Sequence, residues 1–220
     1  MRVIDICLPS DTLNRDHKIN ILTEMLDTVF PPLEGDKVTF IGSTFLRYDD
    51  SMPYMNHCIA LNTCDPVNGA IIESYSTEKD VLLAWRNLIL REDPDIIIGY
   101  NIFGFDYKFM FDRAKENHIV HDFLQLSRIQ KEICANLKRD PDSGTMEYKI
   151  EESSISIASG QYELYFIKMV GRLQIDLLNY FRREFNLSSY KLDYVSGQFI
   201  CDNVKSMTPS YNASTGPPVS

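Results

Sequence analysis

The sequence predicts an α/β fold, a mixed sheet flanked by helices, and three features predict it. Residues 77–91 repeat apolar side chains at helical spacing, with Leu82, Trp85 and Ile89 on one face. Asp93-Pro94 then stops that helix, because proline has no N–H to donate and pushes the preceding residue out of the α region. Ile96, Ile97 and Ile98 follow as a β-branched apolar run ending at Gly99, the pattern of a strand covered on both faces. A second helical pattern at 107–116 completes a strand–helix alternation, which places helices on a sheet.

The elements can be justified in order. Residues 1–35 carry a helical pattern at Ile19, Leu22, Met25, Leu26 and Val29, ended by Pro31-Pro32. Between 38 and 75 the chain reads as strands, Val38 to Leu46, His57 to Asn62 and Ala70 to Tyr75. Asn68-Gly69 is a hairpin-type signal between the last two. Thr77, with Asp80 three residues on, caps the helix at 77–91. From 127 to 160 the pattern loosens. Lys138-Arg-Asp-Pro-Asp-Ser-Gly144 is a turn-rich surface insertion, and Ile150 to Ala158 alternates like an exposed hairpin strand. Residues 163–170 predict a strand and 175–185 a helix with Ile175, Leu178 and Phe181 or Phe185 on its apolar face. The stretch 207–220 is rich in Pro, Ser, Thr and Gly and is expected to be disordered.

Composition narrows the class. Hydrophobic residues at 44% and charged residues at 24% are ordinary for a folded domain of 220 residues. No apolar run approaches the roughly eighteen residues of a membrane span, and the acidic N-terminus does not suit a secretory signal. Five scattered cysteines without a Cys-x-x-Cys pair point to neither a zinc site nor a disulfide framework. A soluble intracellular protein with reduced thiols is the expectation. The net charge of −9 argues against simple duplex binding through a basic face. The segment Lys131 to Lys138-Arg139 reads as a solvated charged face.

The chemistry gathers at Tyr100, Asn101, Phe105 and Asp106, just past the carboxyl end of the isoleucine strand. Ligands sit beyond strand carboxyl ends in open α/β sheets, and an aspartate there suits a hard cation such as Mg²⁺. Spacing alone allows a second reading, in which Asp106 is only the N-cap of the helix at 107–116. Elsewhere His57, His118 and His121 are too scattered for a metal cluster, and Trp85 is core. Asp176 reads as a helix cap or a salt bridge with Arg172 or Arg183, with a supporting role behind the site as the alternative.

The run Glu92-Asp-Pro-Asp-Ile-Ile-Ile-Gly-Tyr-Asn-Ile-Phe-Gly-Phe-Asp-Tyr-Lys-Phe-Met-Phe-Asp-Arg-Ala114 resembles the second exonuclease motif of family B DNA polymerases. More narrowly, it resembles the delta-like polymerases of large DNA viruses. Asp36 to Phe45, Tyr75 to Trp85, Gly171 to Phe181 and Ser189 to Gly197 resemble the flanking segments in the same order. The likeness runs from about residue 18 to 206.

The resemblance implies a ribonuclease H-like 3′–5′ exonuclease fold, here incomplete. Residues 1–35 would be a helical insertion, 36–206 part of the exonuclease domain, and 207–220 a tail. It implies Asp106 as catalytic residue and metal ligand in a two-metal Mg²⁺ or Mn²⁺ site. It also implies Asn101, Phe105 and Tyr100 at the terminal nucleotide, with Phe105 packed beneath the turn. The partners implied are the single-stranded 3′ end of DNA, the palm, fingers and thumb of a longer polymerase, and a sliding clamp. The setting implied is the host nucleus or a cytoplasmic virus factory. Family members also carry an Asp-x-Glu motif before this region and a Tyr-x-x-x-Asp motif after it. Asp5-Ile-Cys7 has the first spacing but cysteine in place of glutamate, and Tyr190-Lys-Leu-Asp193 is one residue too short for the last. We therefore expect a piece of a longer polymerase, or the product of a truncated gene, inactive by itself. The alternative is a non-catalytic scaffold or single-strand-binding remnant.

Overall fold

The structure is a computed structural model that describes residues 14–29, 34–139, 144–157 and 160–200. Asp5, Cys7, Pro31-Pro32, most of the 138–144 insertion and the stretch 207–220 lie outside the described residues. The chain divides into two compact units, Met1–Lys37 and Val38–Ser220. The first contains the expected helix, α1 (Arg15–Val29). Asn14 opens it, its side-chain oxygen accepting from Asp16 N at 3.3 Å and its carbonyl from Lys18 N at 3.0 Å.

The second unit runs β1 (Phe40–Phe45), β2 (Met55–Leu61), β3 (Ile71–Tyr75), α2 (Glu78–Glu92) and β4 (Ile96–Gly99). A π-type turn at Ile102–Asp106 leads into α3 (Tyr107–Glu116) and α4 (Val120–Phe123). Two hairpins follow, β5 (Asn136–Arg139) with β6 (Met146–Lys149), and β7 (Glu151–Ile157) with β8 (Gly160–Phe166). The last elements are β9 (Leu173–Asp176), α5 (Leu177–Glu184) and α6 (Leu192–Phe199). Among the described residues the largest sheet is mixed, in the order β1-β2-β3, and β4 pairs in parallel with β9. The architecture is therefore mixed α/β.

The amphipathic pattern of α2 locates the core. Val81, Leu82, Leu88, Ile89 and Trp85 are buried against Ile59, Tyr107, Phe123 and Leu124, and Trp85 stacks on Phe123 at 6.0 Å. Thr77 caps α2 as predicted, accepting from Asp80 N at 3.2 Å. The helix ends on Asp93 in the left-handed region, φ 47°. Arg172 and Arg128 then clasp the start of β4 to the start of β9. Arg172 donates to Asp93 Oδ1 at 2.7 Å and to the Pro94 carbonyl at 2.8 Å. Arg128 donates to Asp93 at 2.8 Å and to the Gly171 carbonyl at 3.0 Å.

Several expectations need correction. Asn68-Gly69 does turn the chain, with Gly69 at φ 80°, but it does not make a hairpin. β2 and β3 are parallel, His57 opposite Ile71, so residues 62–70 must carry the chain back along the sheet before β3 begins. Turn chemistry fixes a local reversal, not which way the next strand pairs. The strand expected at 163–170 lies at Gly160–Phe166, and Ile175 belongs to β9, not to a helix. The isoleucine run is a strand, but it is not covered on both faces. Ile96 and Ile98 are 46% and 57% exposed, and Leu173, opposite Ile96, is 57% exposed. A two-stranded β4–β9 pair presents one apolar face to solvent, and a run of isoleucines cannot reveal which of its faces is covered.

Candidate functional site

β4 delivers the site. After Gly99 the backbone enters the left-handed region at Asn101, φ 65° and ψ 23°. It then winds one π-type turn, closed by Tyr107 N–H donating to the Ile102 carbonyl. The Asn101 carbonyl accepts from Gly104 N at 3.1 Å and Phe105 N at 3.0 Å. Two glycines of the turn face close neighbours. A Cβ on Gly99 would collide with Ile102 Cγ2, on a stiff β-branched side chain, and one on Gly104 with Asn101 Oδ1, the end of a side chain that can turn aside. The demand for glycine is therefore stronger at Gly99.

Asp106 closes the turn but does not cap α3. Its backbone is already helical, φ −61° and ψ −44°, and its side chain makes no capping bond, which removes the N-cap reading. The carboxylate reaches solvent. Its pKa lies above the usual aspartate range. Desolvation by neighbouring protein is the main cause, a bond from its own backbone N–H partly offsets it, and the negative charge of Asp176 adds to it. Tyr107, buried next to it, has its hydroxyl pKa raised by burial first and then by Asp106 and Asp176.

Asp176 ends β9 opposite Gly99 and caps α5, accepting from Leu178 N at 2.9 Å. It also accepts from Asn101 N at 2.7 Å and Phe103 N at 3.0 Å. The expected salt bridge is not what it makes. Arg172 binds Asp93, and Arg183 binds Glu184 at 2.6 Å.

The place beneath the turn expected for Phe105 is taken by Phe103. Phe103, 9% exposed, packs beneath the turn against Phe166 at 4.5 Å and Tyr107 at 5.9 Å. Phe105 is 56% exposed and stacks on Phe109 at 5.3 Å, planes 14° apart. The four-residue spacing of Phe105 and Phe109 is the signal that could have found this stack. Tyr100 donates its hydroxyl to the Tyr190 carbonyl at 2.6 Å, so that proton is engaged, and the ring and the oxygen lone pairs are left to meet a ligand.

Other candidates stay apart from this constellation. His118 and His121 are exposed, as are Lys138 and Arg139 on β5. The Tyr190 hydroxyl donates to the Phe185 carbonyl at 2.7 Å, and Asp193 lies in the first turn of α6. Among the described residues no three His, Cys, Asp or Glu side chains converge as a metal-holding group. No helix among them is long and apolar enough to cross a membrane.

Residues 18–195 match the family model for the exonuclease domain of family B DNA polymerases. The chain is 43% identical over 208 residues to the DNA polymerase of Phaeocystis pouchetii virus, covering 90% of this chain and 19% of that protein. It is 36% identical over 187 residues to the DNA polymerase of Pyramimonas orientalis virus, covering 85% of this chain and 14% of that protein. Similarity extends to the DNA polymerase delta catalytic subunit of Oryza sativa subsp. japonica, 36% over 171 residues, 78% of this chain and 14% of that subunit. The chain thus spans less than a fifth of the length of these relatives.

Proposed function

The chain belongs to the exonuclease-domain family of family B DNA polymerases, and from that premise we propose that Asp106 is a metal ligand of a proofreading 3′–5′ exonuclease site. The fold is then ribonuclease H-like. The longer polymerase copies DNA and hydrolyses mispaired 3′ ends. The observation that carries the reading is the state of Asp106. It is solvent-reaching, free of any cap, beyond the carboxyl end of a strand, and close enough to a second carboxylate to feel its charge.

An oxygen donor of this kind fits a hard cation, Mg²⁺ or Mn²⁺. Such a cation supplies activation of water and stabilisation of the departing 3′ oxygen. The chain's own residues supply the rest. Asn101, held left-handed by the turn, is aimed at the terminal nucleotide. The exposed Phe105, backed by Phe109, offers a flat face on which a base can stack. The ring of Tyr100 lines the approach. The single-stranded 3′ end of DNA and the rest of the polymerase are the partners of this reading.

The 220 residues alone are expected to be inactive, because among the described residues Asp106 is the one carboxylate of this turn open to a cation, and one carboxylate cannot hold two. Asp176 is already occupied by three backbone N–H groups. Calorimetric titration of Mn²⁺, with hydrolysis of a 3′-labelled single strand, tests both claims on wild type and Asp106→Ala. Weak Mn²⁺ binding that disappears in the variant, without cleavage by either protein, is the expected result. Binding that is indifferent to Asp106→Ala removes the metal assignment. Metal-dependent cleavage by the wild type overturns the inactivity.

A further inference from the structure

Asp176 is 4% exposed, and its carboxylate gathers three backbone N–H groups from two distant parts of the chain. Oδ1 accepts from Leu178 N and Asn101 N, and Oδ2 accepts from Phe103 N. A helix cap needs only the first of these bonds. The other two reach across to the turn that carries Asp106, more than seventy residues earlier in the chain. The parallel register makes this possible, since Gly99 and Asp176 end their strands side by side.

We propose that Asp176 is a positioning residue for the candidate exonuclease site, a latch that sets the Asn101–Asp106 turn through its carboxylate. The inference rests on the assignment of Asp106 above. The turn needs such a latch. Asn101 stands in the left-handed region, which asparagine tolerates better than other side chains but which still favours a turn whose N–H groups are fixed. Fixing the N–H of Asn101 and of Phe103 sets the backbone on both sides of Ile102. That in turn fixes the buried direction of Phe103 and the outward direction of Phe105 and Asp106. Oδ1 is fully engaged, Oδ2 holds one bond, and the residue is buried, so the carboxylate faces the backbone and stands behind the ligand set.

Asp176→Ser separates the latch from the cap. Serine is a good N-cap, so Leu178 N keeps its acceptor, but its short side chain cannot span to Asn101 and Phe103. Asp176→Asn is the second variant. It keeps one acceptor oxygen and turns an N–H₂ donor against a backbone N–H donor.

Amide hydrogen exchange and Mn²⁺-induced line broadening by NMR, on the 220-residue chain, read the outcome. The expected result in both variants is exchange at Phe103 faster by about tenfold or more, the cost of unpairing a buried N–H. Exchange at Leu178 should stay near wild type in Asp176→Ser. Mn²⁺ broadening at Asp106 and Phe105 should weaken, and the melting temperature should fall by the several degrees that unpaired buried N–H groups cost. Wild-type exchange at Asn101 and Phe103 in both variants overturns the latch, as does unaltered Mn²⁺ broadening. If wild type itself shows no broadening at Asp106, the metal assignment falls instead. Exchange at Phe103 then still decides whether Asp176 holds the turn.

Discussion

Two buried acids, Glu78 and Asp176, are treated by the fold in opposite ways. Glu78 opens α2 and is closed off completely. Oε1 accepts from Val38 N at 2.8 Å and Arg113 Nε at 2.7 Å, and Oε2 accepts from Arg113 Nη2 at 2.5 Å and Asn117 Nδ2 at 2.9 Å. Arg113, itself buried, also reaches Glu116. Asp176 is equally buried, yet the partners it gathers are neutral amides. Its charge is therefore felt by Asp106. The consequence shows at Glu78 and Asp106. Burial pushes Glu78 up, but its hydrogen bonds and the guanidinium outweigh it, and its pKa is lowered overall. At Asp106 desolvation by neighbouring protein, with the charge of Asp176, prevails and the pKa is raised. A carboxylate matched by a cation of the protein serves stability, and one left for a cation from solution is where function is to be sought.

Breaking the closed centre should have the largest effect. Glu78→Ala strips the buried Arg113 of its buried partner and leaves it only the half-exposed Glu116, a loss of up to about 3–5 kcal/mol in urea denaturation. Removing both charges in Glu78→Leu with Arg113→Met should recover most of that. The pH dependence has a definite sign. Because the folded pKa of Glu78 is lowered, its contribution is present above the unfolded glutamate pKa and is lost as pH falls through the folded value. Loss of stability in Glu78→Ala that persists unchanged in acid would mean that packing, not the ion pair, carries the effect.

The two phenylalanines sharpen the contrast within the site. Phe103→Ala empties a buried position between Phe166 and Tyr107 and should cost about 3–5 kcal/mol. Phe105→Ala, at an exposed position, should stay within about 0.5 kcal/mol of wild type. It should instead weaken binding of an oligonucleotide carrying 2-aminopurine at its 3′ end, read by the change in fluorescence. Equal stability losses in the two variants would remove Phe105 from the surface.

Much of this contrast was legible in the sequence, unevenly. Thr77, the α2 face and α3 at Tyr107–Glu116 follow from capping and periodicity, which are local. The end of β4, where the candidate site sits, followed from Gly99 and Asp93-Pro94, also local signals. What failed was long-range. Nothing near Asn68-Gly69 announces that β3 pairs in parallel with β2, and nothing in Ile96–Ile98 announces an open face. Asp176 is a legible cap, because it stands directly before a helical run. Its reach to Asn101 and Phe103 depends on the β4–β9 register, which no short segment encodes. Phe103 and Phe105 lie on one turn, and only the turn's π-type winding decides which is buried.

The smallest effect is the most pointed. A folded pKa raised at Asp106 means that the folded chain holds this proton more tightly than the unfolded chain does. The associated stability is full below the unfolded aspartate pKa, about 3.9, and is lost as pH rises through the folded value. At neutral pH the ionised Asp106 therefore works against folding. Asp106→Asn, which removes the charge and keeps the shape, should melt slightly above wild type at neutral pH. The gap should close as pH falls below the unfolded value. Solvent screening keeps the gain small, because the carboxylate reaches water. Added Mg²⁺ should stabilise wild type by occupying the charge and leave the variant unchanged. A structural aspartate would behave the other way. Its replacement would lower the melting temperature at neutral pH, and Mg²⁺ would not distinguish the two proteins. The sign of one thermal shift thus separates an acid that the fold needs from one that the fold tolerates for its chemistry.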